Sequence, residues 1–219
     1  MSLSPVAVRV LGALLEKAHT TPENYPLSLN ALVLACNQKT SRDPVTAYSE
    51  RDVEEALQGL RDRGLVSSSQ GVSERVVKHQ HRLEEALSLS RPDLAVLAVL
   101  MLRGPQTAGE LRSRTERYTH FPDVAAVEAS LRRLAEHRPP LARAEARAPG
   151  QSQTRWVHLL GADPERAKPR ARPAATPPAT DGPTLETLQA EVATLKRQVA
   201  RLLQHAGLEE SMTADDFRE

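Results

Sequence analysis

Aromatic residues are almost missing from this chain: two Phe, three Tyr and one Trp, 3% of 219 residues. A core must therefore be built mostly from Leu, Val and Ala, which favours helices. Cysteine occurs once, at Cys36, so no intramolecular disulfide can form and a reducing cytoplasm is the expected compartment. Long apolar runs are lacking as well. The stretch Leu94 to Leu102 is too short to cross a bilayer, and the N-terminus places Arg9, Glu16 and Lys17 among its apolar residues and has no basic leader. A membrane span and a signal peptide are not expected. Neither sign of charge dominates, since the net charge is +1. There is no Gly-rich phosphate loop, no H-E-x-x-H and no G-x-S-x-G, so neither an enzyme nor a bound cofactor or metal is expected.

What is present is a pattern that occurs twice. In Val53 to Val66, VEEALQGLRDRGLV, Val53, Leu57 and Leu60 with the smaller Ala56 recur at helical spacing. Gly64 supplies a helix stop, and Leu65-Val66 begin a run of strand character. A weaker copy runs from Val127 to Leu141, with Val127, Leu131 and Leu134 in the same places and Pro139-Pro140 ending the helix. A helix followed by a short strand and a turn is how a winged helix presents its third helix and wing. The fold class expected is therefore mainly α with small β-wings, as two tandem winged-helix domains at 1–89 and 90–160.

Start signals support that division. Ser4-Pro5, Ser28, Ser49 with Asp52, Ser90 with Pro92-Asp93, Thr107 and Asp123 each read as a helix N-cap. The first wing is expected as Leu65-Val66, a turn through SSSQGVSE and a return strand Arg75 to Leu83. The second is LARAEARA, a turn at Pro149-Gly150 and the strand TRWVHLL, with Arg155 aligned to Arg75. Residues 161–183, rich in Ala, Pro and Thr, have linker composition. Within 184–206, Leu185, Leu188, Val192, Leu195, Val199 and Leu202 form a heptad seam. β-Branched residues at a with Leu at d favour a parallel homodimer through 185–202, and a helix folding back on its own domain is the alternative. An acidic tail, 207–219, closes the chain.

Two surfaces qualify as functional. The outer face of the first third helix carries Arg51, Glu54, Glu55, Gln58, Arg61 and Asp62, an acidic set that suits docking a protein better than entering a groove lined with phosphates. Residues 90–160 hold 11 Lys/Arg against 7 Asp/Glu. Arg112, Arg114 and Arg117 fall in a basic connection, Arg132 and Arg133 on the helix, and Arg143 and Arg147 on the wing. These are the candidate nucleic-acid contacts, or else a solvated arginine-rich surface. His79 and His81 alternate onto one face of a strand as metal ligands could, but no third ligand is suitably spaced, so solvent-facing histidines are expected. Cys36 falls at a core position of its helix. The long polar turn NQKTSRDPVTAYS, with Lys39 and Arg42, is either functional or packed between the two domains.

TTPENYPLSLNAL, ACNQKTSRDPV, ERVVKHQHR, MLRGPQTAGELRSRT and the strand RWVHLL occur in this order between Pro5 and Leu160. In these motifs the chain resembles the YceH-like family, bacterial proteins with domains of unknown function. The resemblance implies a tandem winged-helix fold; it implies no activity and no site residues. The expectation is thus a non-enzymatic protein-interaction adapter, with a DNA-binding regulator acting through the second domain as the alternative.

Overall fold

The computed structural model describes residues 2–70, 76–146 and 153–161. The linker beyond Gly161, the heptad seam, the acidic tail and Arg147 lie outside the described residues. The first half runs α1 (Pro5–Thr20), β1 (Leu27–Ser28), α2 (Leu29–Asn37), α3 (Glu50–Arg61), β2 (Val66–Ser69) and β3 (Lys78–His81). After the one-turn helix α4 (Leu83–Leu87), the second half runs α5 (Arg91–Arg103), β4 (Gln106–Thr107), α6 (Ala108–Thr115), α7 (Val124–Glu136), β5 (Ala142–Ala144) and β6 (Arg155–His158). The protein is mainly helical, with small antiparallel sheets, and its two halves repeat one order of elements. No helix among the described residues is long and apolar enough to cross a membrane.

Local chemistry explains the helix starts. The side chains of Ser4, Ser28, Ser49, Ser90, Thr107 and Asp123 each accept a hydrogen bond from the backbone N–H three residues on. Ser49 with Asp52 and Thr107 with Glu110 close full capping boxes, in which two otherwise unpaired donors are satisfied reciprocally. At the other ends Gly64 and Gly104 take φ +68°, a left-handed conformation that side chains disfavour.

The sheets repeat down to their register. Their strand orders are β1-β3-β2 and β4-β6-β5. Leu27 faces His79 and Val66 faces His81 in the first; Gln106 faces Trp156 and Ala142 faces His158 in the second. His81 and His158 are therefore equivalent, and Lys78, rather than Arg75, is the counterpart of Arg155. The first return strand ends at His81 instead of reaching Leu83. Leu83 and Leu87 lie four apart and both are buried, so that segment winds into α4 to place them on one side.

One hydrophobic core serves both halves, taking in Leu11, Leu14, Leu57 and Leu60 from the first and Leu94, Leu97, Leu100 and Leu131 from the second. Every residue from Asp93 to Leu102 is buried, which accounts for a helix that is apolar all round. Against it α1 approaches closely at Gly12. A Cβ there would stand 2.9 Å from the Leu102 side chain and 3.3 Å from Met101 Cβ. Glycine at this point allows the two long helices of the two halves to touch.

Candidate functional site

The outer face of α3 follows from its amphipathic pattern. Val53, Leu57 and Leu60 are buried, which turns Glu50, Arg51, Glu54, Glu55, Gln58 and Asp62 outward. Arg51 and Arg61, two cations carried by α3, are already engaged. Arg51 Nε donates to Glu55 Oε1 at 2.9 Å, and both side chains are well exposed. Arg61 donates to Gln58 Oε1 at 2.6 Å and to Ser68 Oγ at 3.1 Å, while Gln58 Nε2 donates to Asp62 Oδ1 at 2.8 Å. Ser68 Oγ and His79 Nδ1 share a further hydrogen bond of 2.9 Å. The face therefore continues through side chains onto β2 and β3, and its outward charge is acidic at Glu50, Glu54 and Asp62.

The basic residues of the second half are placed less freely than their sequence implies. Arg112 and Arg114 belong to the last turns of α6, not to a loop. Arg112 donates to the carbonyls of Phe121 and Pro122 at 3.3 and 2.9 Å, tying down the connection to α7. Arg114 faces Glu110 at 3.7 Å. Arg117 pairs with Glu16 and lies over the Tyr118 ring, 5.0 Å from its centre. Arg133 reaches across to Asp93, donating from Nε to both carboxylate oxygens at 3.2 and 3.1 Å and from Nη2 to Oδ1 at 2.7 Å. With Ser90 and Ser130 it offsets the burial of that carboxylate and holds it below the usual range. Arg143 is half-buried on β5. Arg132 remains exposed on α7, whose outer face also carries Glu128 and Glu136.

The long polar turn before α3 is built from buried charge. Glu16, only 1% exposed, accepts from Arg42 Nη2 at 2.5 Å, from Arg117, and from the Tyr118 hydroxyl at 3.1 Å. Arg42 is itself buried and donates to the Ala35 carbonyl from Nε and Nη2 at 3.2 and 2.7 Å. Arg9, one helical face along α1 from Glu16, holds the Cys36 and Pro44 carbonyls at 3.2 and 2.7 Å. The Asp43 N–H donates to the Leu102 carbonyl at 2.9 Å. Arg42 is buried within the first half, while Ser41 and Asp43 of the same turn meet Arg103 and the Leu102 carbonyl at the end of α5; Lys39 stays exposed.

The strand histidines are a correction: neither faces solvent. His79 is buried, and His81 has its Nδ1 buried without a hydrogen-bond partner. Burial, reinforced by His19, pushes the His81 ring down to about 4, and burial alone does the same to His158. The strands are short and their inner faces close over α-helices, which the alternation pattern alone did not reveal. Cys36 is fully buried and its thiol is pushed up to about 12 by that burial, a neutral core group. Among the described residues no group of three or more His, Cys, Asp and Glu side chains is placed to hold a metal ion.

Glu16, Tyr118 and Arg103 are the site-forming residues that sequence reasoning did not single out. For Glu16 a signal existed, since it and Arg9 lie seven apart on an otherwise apolar helix face. Tyr118 and Arg103 gave none, because their roles depend on the meeting of the halves.

A mainly helical protein with two three-stranded sheets and a core shared by both halves defines the class. The family described as "Protein of unknown function, DUF480" matches residues 3–151, and the chain belongs to it. A UPF0502 protein of Azoarcus sp. (strain BH72) is 49% identical over 201 residues, 91% of this chain and 89% of that protein. One from Cupriavidus necator is 44% identical over 223 residues, covering 98% of this chain and 90% of its own length. Another, from Geobacter sulfurreducens, is 47% identical over 198 residues, 88% and 90% of the two chains.

Proposed function

We propose that this protein is a non-enzymatic tandem winged-helix adapter that docks a basic surface of a partner protein on the outer face of α3. The winged-helix reading is supported by the repeated order of helices and strands and by the shared register of the two return strands. The observation that carries the adapter reading is the charge of the α3 face. Glu50, Glu54 and Asp62 point outward, while Arg51 and Arg61 are committed to neighbours on the same helix or its wing. A helix that enters a DNA groove meets phosphate on both flanks and needs uncommitted cations there.

Binding to DNA through the second half is the weaker reading. Arg112, Arg117 and Arg133 each hold a structural partner, and Arg132 shares its face with two glutamates. The test is affinity capture on the full chain from the source cells, with and without nuclease. A partner retained after nuclease and lost on charge reversal of Glu54 and Glu55 to Lys is the expected result. Capture that collapses with nuclease, or ignores the glutamates, contradicts the proposal.

A further inference from the structure

Where the two halves meet, Arg103 ends α5 half-buried beside the polar turn. Its Nη2 donates to Ser41 Oγ at 2.7 Å, a neutral hydroxyl and not a carboxylate. Ser41 sits at φ +59°, a left-handed conformation uncommon outside glycine, and its hydroxyl meets the end of α5. Arg114 and Arg117 complete an open depression of about 500 Å³ together with Ser41, Arg103, Ser113 and Glu116.

The charge here does not balance. Glu16 is shared by Arg42 and Arg117, and Glu110 by Arg114 and Arg155. Glu116 is 2.7 Å from the ring of His120. With Arg103, five guanidinium groups meet three carboxylates, an excess of two positive charges. Burial lowers the Arg103 guanidinium from its ordinary value, and the neighbouring Arg114 and Arg117 lower it further. Like charges held together this way are a standing cost that an anion would relieve.

We propose that the depression lined by Ser41, Arg103, Ser113, Arg114, Glu116 and Arg117 binds a phosphoryl dianion, as inorganic phosphate or the terminal phosphate of a phosphomonoester. Guanidinium forks present paired donors that match the oxygens of a phosphoryl group, and the two serine hydroxyls add neutral donors at the rim. The excess of two charges fits a dianion. A phosphodiester, with one charge per group, leaves half of it unmet. A bound dianion would touch the polar turn of the first half and α5 and α6 of the second, and so brace the junction.

The test is calorimetric titration of the full chain with inorganic phosphate, in chloride at constant ionic strength and above the second ionisation of phosphate. Saturable binding at one site is expected, weakened about tenfold or more by Arg103→Gln and by Arg114→Gln. Arg132→Gln, which does not line the depression, should keep the wild-type affinity. Dimethyl phosphate, a singly charged diester, should bind about tenfold more weakly than phosphate. Arg114 has only a loose carboxylate contact, so Arg114→Gln decides the matter if Arg103→Gln does not fold. Absence of saturable binding overturns the proposal. So does wild-type affinity in the folded variants, or equal affinity for the diester.

Discussion

Glu16 and Arg117 stand 101 positions apart in the chain and share an ion pair whose carboxylate is buried. Arg42 reaches the same carboxylate from 26 positions away. Both halves of the molecule thus converge on one negative charge on the inner surface of α1.

Removing that charge leaves Arg42 buried without its partner. Glu16→Gln is expected to cost about 3 kcal/mol of stability, the scale for breaking a buried pair from one side. Burial alone would raise the Glu16 carboxyl, but hydrogen bonds and charge from Arg42, with Arg117 and Tyr118, outweigh it and hold it below its ordinary 4.5. Its contribution is accordingly present above pH 4.5 and is lost as pH falls through the lowered folded value. Urea unfolding at neutral and acid pH measures both effects. A variant with an unchanged midpoint at neutral pH would show that the cluster does not hold the halves.

The two equivalent histidines act in a different pH window. His81 and His158 are pushed down to about 4 from 6.5, so each stays neutral when folded. Unfolding lets them take up protons near 6.5, so stability present above that pH drains away as it falls towards 4. Proton NMR should show both rings still neutral at pH 5.5, about 1 unit below their ordinary midpoint. Either ring titrating at its ordinary value would contradict their placement in the strands.

Gly12 tests the shared core. Gly12→Val puts a branched side chain against Leu102 and Met101, where a single Cβ is already at 2.9 Å. Overpacking at this contact between α1 and α5 should destabilise the protein by about 2 to 3 kcal/mol, read from its thermal or urea midpoint. Unchanged stability would mean that the helices are not in close contact.

Much of this architecture was legible in local chemistry. N-caps are set by a side chain and the next three residues, and each of the six read from the sequence is formed. The apolar stripe of α3 fixed which face of that helix turns outward. What escaped depends on distant partners. The partner of Arg42 was not legible because Glu16 lies 26 positions earlier, and that of Arg133 was not because Asp93 lies 40 positions earlier. The period-two pattern of β3 gave the shared face of His79 and His81 but not which side the helices would cover. That side is chosen by how α1, β2 and β3 close over the core.

The proposed docking of protein on α3, in place of DNA, is tested by charge reversal at Glu54 and Glu55. Both side chains are exposed, so the double Lys variant should unfold within about 0.5 kcal/mol of wild type. Binding of a captured partner and of a fluorescent duplex are then measured on the same preparations across a salt series. The variant is expected to lose the partner while its affinity for duplex holds or rises non-specifically, two acids near phosphate having become bases. The contradicting result is a sequence-specific duplex complex that ignores the glutamates and is abolished by Arg112, Arg114 and Arg117 to Ala.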